Sequence, residues 1–279
     1  MEKLTLSDVG LDWTVRTESV KTIESGIVIP KQIAIVREDT QAILGTHGAG
    51  YVPYQNEQLL ELLYKVSGKT GLPLHTGGFF GGGEKVFLQL KSDDFNIQND
   101  TIKGYVSGFN SFDGKTSLGF GHSSVTVSCM NTFWKGFKEV QSKVKHTATM
   151  LIKIEDVLRR IDVILKEEKV FFENINRLGN VKLSQEVKDM VIRKMFDLEK
   201  EERLDSENLS TYKKNRIEEF TFDMNGELTQ KGDNLWGMFS SVTKYTTHSM
   251  NKKDNTENKI FGVVGKKERE IWSSLVELV

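Results

Sequence analysis

Hydrophobic positions follow two different rhythms along the chain, and the change comes near Trp134. Before it, β-branched runs are bounded by turn residues, the mark of strands. Gly26-Ile27-Val28-Ile29-Pro30, Gln32-Ile33-Ala34-Ile35-Val36-Arg37 and Ala42-Ile43-Leu44-Gly45 are such runs. Leu59, Leu60, Leu62, Leu63 and Val66 instead recur at helical spacing, which predicts a helix capped by Asn56 and ended by Gly68 and Gly71. Three further strands are predicted over 85–90, 102–109 and 123–128. Asn96-Ile97-Gln98-Asn99-Asp100 and Asp113-Gly114 supply the turns between them.

Beyond Trp134 the period becomes helical and charged. Residues 154–172 place Val157, Leu158, Ile161, Ile164 and Leu165 on one face. Ser184 is placed to cap a second helix, a third covers 209–220, a fourth 234–250 and a closing piece 266–278. The fold class expected is therefore α+β: an antiparallel or mixed β-rich half with one helix over 1–150, then a mostly helical half over 151–279. The two are expected to pack into one globular unit.

Composition narrows the function classes. The chain has 279 residues, 38% hydrophobic and 28% charged, enough to bury a sizeable core. A net charge of −1 provides no global field toward nucleic acid or an anionic membrane, so any such binding needs a local patch. A single cysteine, Cys129, excludes an intrachain disulfide and a multi-cysteine zinc site. No run approaches the roughly 18 apolar residues of a membrane helix. The N-terminus lacks the basic start and apolar run of a signal peptide, so a soluble intracellular protein is expected.

Two local features carry candidate chemistry. In Thr76-Gly77-Gly78-Phe79-Phe80-Gly81-Gly82-Gly83-Glu84-Lys85, glycine permits close backbone approach, Lys85 offers charge and Phe79 with Phe80 offers rings for stacking. The stretch lacks the Gly-Lys-Ser/Thr ending of a phosphate-binding P-loop. The segment 133–153 is locally basic: Lys135, Lys138, Lys143, Lys145, His146 and Lys153 face only Glu139, with Phe133, Trp134 and Phe137 interleaved. Arg159 and Arg160 extend it, and Lys115 lies on the preceding turn. Cations among aromatics suit a phosphate backbone and unstacked bases.

The remaining chemistry is sparse. His47, His75, His122, His146 and His248 show no metal-binding spacing, and no cofactor motif occurs. Asp39, Asp93, Asp94, Asp113 and Glu84 are acids that a divalent ion would gather, without a spacing that singles them out. Neither catalytic residues nor metal ligands are assigned.

Four ordered regions carry a family resemblance. The first runs from Trp13-Thr14-Val15 through Ile35-Val36-Arg37-Glu38-Asp39-Thr40 and Ile43-Leu44-Gly45 to Tyr51-Val52-Pro53-Tyr54-Gln55-Asn56. Then come Gly81–Leu88, and Ser111-Phe112-Asp113-Gly114-Lys115 leading to Val125–Thr132 and Lys145-His146-Thr147. The last is Asn234–Phe239 with Val242–His248. The chain resembles the phage/plasmid-like proteins, a domain-of-unknown-function family. Members typically show Ser-His-Asp-Gly where this chain has Ser111-Phe112-Asp113-Gly114, which weakens a catalytic reading there. The resemblance implies a protein encoded by phages, prophages or plasmids and working in the bacterial cytoplasm. The expectation is a non-enzymatic single-stranded DNA-binding or annealing protein, oligomeric, with the basic segment tracking the backbone. The alternative is a counter-defence protein that binds a host immune complex.

Overall fold

A computed structural model describes residues 4–97, 100–126, 132–135, 144–159, 161–198, 209–250 and 256–279. The α+β class is found, with two antiparallel sheets followed by mostly helical chain. The first sheet has the order β1 (Val15–Lys21), β2 (Val28–Arg37), β3 (Ile43–Gly48). The two runs expected on either side of Pro30 are therefore one strand. Its irregularity sits at Lys31, a non-glycine residue with φ of 61°.

Helix α1 (Asn56–Thr70) starts at the residue expected to cap it, so its cap lies one position earlier. Gln55 is the cap, its N–H donating to Gln58 Oε1 at 2.8 Å, in the manner of a capping box. Asn56 instead turns its amide to the carbonyls of Leu11 and Trp13, both at 3.1 Å, and anchors the N-terminal segment. Leu59, Leu62, Leu63 and Val66 bury the predicted stripe, and left-handed Gly71 ends the helix.

The second sheet has the order β4 (Leu74–Phe80), β5 (Lys85–Ile97), β6 (Asp100–Ser111), β7 (Gly119–Thr126), β8 (Thr132–Lys135). Strands β5 and β6 run longer than predicted, and β4 is a strand for which the sequence pattern predicted none. The helices that follow are α2 (Met150–Arg159), α3 (Ile161–Gly179), α4 (Gln185–Phe196), α5 (Thr211–Lys231), α6 (Leu235–Lys244), α7 (Thr256–Phe261) and α8 (Val263–Val276). Ser184 caps α4 as expected, accepting from Val187 N–H. Asn234 caps α6, which is buried from Leu235 to Thr243 and continues into a π-helical turn, Tyr245–Ser249.

Spatial contacts group the chain into two compact units with interleaved segments, whereas the sequence pattern drew one boundary at 150. The first comprises Met1–Asp93, Tyr105–His122 and Gly136–Lys166, the second Asp94–Gly104, Ser123–Lys135 and Glu167–Val279. Each has its own core. In the first, Leu88, Leu90 and Val106 pack with Leu59, Leu63 and Phe112. In the second, Phe171, Phe220, Tyr245 and Trp272 cluster with Phe239 of α6. No helix among the described residues is long and apolar enough to cross a membrane.

Candidate functional site

Strand β5 alternates as Lys85-Val86-Phe87-Leu88-Gln89-Leu90-Lys91, and successive side chains of a strand point to opposite faces. Val86, Leu88 and Leu90 are fully buried in the core of the first unit. Phe87, Gln89 and Lys91 therefore share the other face. On β6 the core takes Val106, which leaves Tyr105, Ser107 and Phe109 on that same outer face. Hydrogen bonding agrees, since Gln89 Nε2 donates to Ser107 Oγ at 2.8 Å.

A ladder of rings crosses three strands on this face. Phe80 of β4 stacks on Phe87 of β5 at 5.5 Å and 25°, and Phe87 meets Phe109 of β6 at 6.4 Å. His75 lies 5.5 Å from Tyr105, over which Lys91 Nζ sits at 5.3 Å. Gly78 pairs directly with Phe87, and a Cβ there would lie 3.3 Å from the Phe87 ring. Glycine at this position lets the ring lie over the β4 backbone. Tyr105, Phe109, Gln89 and Ser107 are buried, Phe80, Phe87 and Lys91 half-buried, and His75 exposed. The accessible margin of the ladder is thus its β4–β5 side.

The glycine-rich stretch does not present its two phenylalanines together. They alternate, so Phe79 lies on the opposite face, 39% exposed: its ring meets Trp13 edge-on at 6.2 Å, and the Arg37 guanidinium lies 5.1 Å from it and 4.2 Å from Trp13. Arg37 is held by both Asp39 oxygens, at 2.7 and 2.8 Å, and by the Gly82 carbonyl at 2.9 Å. The turn after Phe80 needs Gly83, whose φ is 114° and whose Cβ would lie 2.9 Å from Trp13.

Lys85 is a correction to the sequence expectation. Its ammonium is buried and paired with Asp113 at 2.8 Å, so it is committed within the protein and not offered to a phosphate. Asp113 lies on the Ser111–Gly114 turn, which a column of three rings also secures. His47 stacks on Tyr51 at 4.0 Å, and Tyr51 on His146 at 4.9 Å. His47 Nε2 bonds the Phe112 carbonyl at 2.7 Å, and Tyr51 donates to the Ser111 carbonyl at 2.7 Å. Burial, with the charge of Asp113, raises the Tyr51 hydroxyl above its ordinary range.

His146 is a second correction. Burial holds its pKa down to about 4, so at neutral pH it carries no charge for a phosphate. Folding therefore favours neutral His146, while the unfolded chain takes up a proton below the ordinary value near 6.5. Its contribution is complete above pH 6.5 and is lost as pH falls from 6.5 to about 4, roughly 3 kcal/mol in all. The expected result is an unfolding free energy that declines over this window in the native protein and declines less in His146→Gln. Equal slopes in parallel denaturant titrations would refute the assignment.

The other expected residues divide. Lys145, Lys153 and Arg159 are exposed, and Lys115 is 79% exposed, 3.9 Å from Asp113. Lys135 and Trp134 belong to strand β8, whose side chains lie outside the described residues, as do Lys138, Lys143 and Arg160 altogether. Among the described residues no three His, Cys, Asp or Glu side chains are close enough to hold a metal ion. Sequence reasoning passed over Phe87, Gln89, Lys91, Tyr105 and Phe109. The signal was present in the alternation of β5, whose polar-aromatic face is as regular as its apolar one.

A family model described as "Domain of unknown function (DUF932)" matches residues 43–264. Comparison with curated proteins and with solved structures finds no match.

Proposed function

The chain belongs to the DUF932 family, and on that premise we propose that it binds single-stranded DNA through the outer face of the five-stranded sheet. One observation carries this: Phe80 and Phe87 stack at the accessible β4–β5 margin of the ring ladder, with Lys91 and His75 beside them, on the strand face opposite the core of this unit. Aromatic and polar side chains on a sheet face stack and hydrogen-bond unpaired bases, and stacking tolerates any sequence because every base has a π-face. Exposed Lys115, Lys145, Lys153 and Arg159 of the same unit suit the phosphates. A net charge of −1 fits moderate, salt-sensitive binding better than tight binding. The setting we propose for such an activity is recombination or replication of a mobile element in the cytoplasm of a bacterial host, a reading that the resemblance to phage/plasmid-like proteins supports.

Labelled oligothymidine is expected to bind at about 50 mM salt and to weaken steeply by about 200 mM. Phe80→Ala and Phe87→Ala each remove a stacking ring worth ~1–3 kcal/mol, so each should weaken binding about 5- to 150-fold. Lys91→Ala should lower the salt slope by about one. Absence of binding at the lower salt, or full binding in a folded Phe80→Ala/Phe87→Ala variant, would sink the proposal. The first outcome favours the second reading, a counter-defence protein docking on a host immune complex. That reading draws on the apolar residues exposed on the β1–β2 hairpin.

A further inference from the structure

Strands β1 and β2 continue beyond the third strand of their sheet. Pairing with β3 begins only at Gln32↔Gly48, while β1 and β2 stay paired out to Lys21↔Val28. Every residue from 21 to 32 is exposed, so this two-stranded arm has water on both faces. A two-stranded ribbon is marginal by itself in water, yet this one carries apolar side chains outward. Ile23 is fully exposed, and Ile27, Val28 and Ile29 are 65%, 49% and 39% exposed. Thr22 fixes the tip: its N–H donates to the Ile27 carbonyl at 2.9 Å, and its hydroxyl accepts from Ile27 N–H at 3.0 Å. The apolar tip is therefore preorganised. It also precedes the residues matched by the family model.

Charge narrows the occupant. Lys21, Glu24 and Lys31 are exposed and make no ion pair among the described residues, and Glu18 is paired with Arg16. Glu24 sits between Ile23 and Ile27 at the tip, where insertion into a bilayer would bury an acid. Strand addition along the free edge of β2 is opposed by Pro30, which lacks an N–H, and by the irregular Lys31. Side-chain packing is the mode that the outward apolar side chains favour. Two arms overlapping antiparallel about a two-fold axis would set each Glu24 against the other arm's Lys21 and Lys31, twice by symmetry. They would bring the face that carries Ile27 and Ile29, with Ile23 at the tip, onto its copy, Val28 alternating to the other face. We propose that the arm is a self-association surface and that its occupant is the same arm of a second copy of this chain.

Sedimentation equilibrium of the full chain at about 100 μM tests this, a concentration that populates weak specific dimers. A dimer is expected. Ile23→Asp/Ile27→Asp should weaken it about 100-fold or more, from the loss of two buried aliphatic side chains. Neither residue touches the core, so circular dichroism should stay native in this variant. Glu24→Lys should weaken the dimer about ten-fold, and adding Lys21→Glu and Lys31→Glu should restore it, because the swapped charges are again complementary. A native chain that stays monomeric overturns the proposal. So does a dimer indifferent to the isoleucine changes, or one that the charge swap fails to rescue.

Discussion

Replacing Lys259 with methionine is expected to lower the unfolding free energy by about 3–5 kcal/mol, a large part of what a domain possesses. Lys259 of α7 and Glu268 of α8 form an ion pair at 3.0 Å with side chains 1% and 0% exposed. Burial is the largest influence on both, pushing the lysine down and the glutamate up, and each partner's charge opposes that shift. The Thr246 hydroxyl donates to Glu268 Oε1 from the π-helical turn, and Lys259 also reaches the Thr246 and Thr247 hydroxyls. Without the lysine, Glu268 keeps a buried carboxylate whose Oε2 has no partner among the described residues. A proton is then its main compensation, so the variant's deficit should be smaller at acid pH than at neutral pH. The double variant Lys259→Met/Glu268→Leu removes both charges and should recover most of the loss. Urea denaturation followed by tryptophan fluorescence reads this unit, since Trp236 and Trp272 lie in its core. A single variant as stable as the native chain would refute the account.

Phe112→Ala should cost a similar amount, about 3–5 kcal/mol, in the other unit. The ring is fully buried and lies 5.6 Å from Trp13. Its own backbone is fixed on both sides, its N–H donating to the Glu84 carbonyl at 2.7 Å and its carbonyl meeting His47. Neighbours fixed in this way cannot collapse into the space, so the cavity persists. Phe112→Leu fills most of it and should lose less than half as much. Comparing the two variants by thermal unfolding separates volume from the turn itself; equal losses would point to the turn.

Phe112 also shows how far the sequence reached. Its position on the Ser111–Gly114 turn was legible from Asp113-Gly114, and the absence of a histidine there discouraged catalysis. The structure makes Phe112 a core residue, with Asp113 neutralised by a lysine 28 positions away. Lys85 looked like a ligand group because its local surroundings are glycine-rich. A chain-distant carboxylate took it, and local composition holds no record of such a partner.

The sequence by itself determined what local periodicity and local hydrogen bonding encode. Period-two alternation set the strand at 85–90 and its two faces, helical spacing set the α1 stripe, and Ser184 marked the start of α4. Those features follow from backbone geometry within a few residues. Tertiary structure alone decided what lies opposite each face. It sent Phe79 to Arg37 and Trp13 but Phe80 to the outer ladder, paired Lys85 with Asp113, and enclosed Lys259 with Glu268. It also grouped distant segments into two units, each with its own core. The physical reason is that burial and charge pairing are bought with the entropy of closing long loops, and their energies depend on neighbours that only the topology supplies.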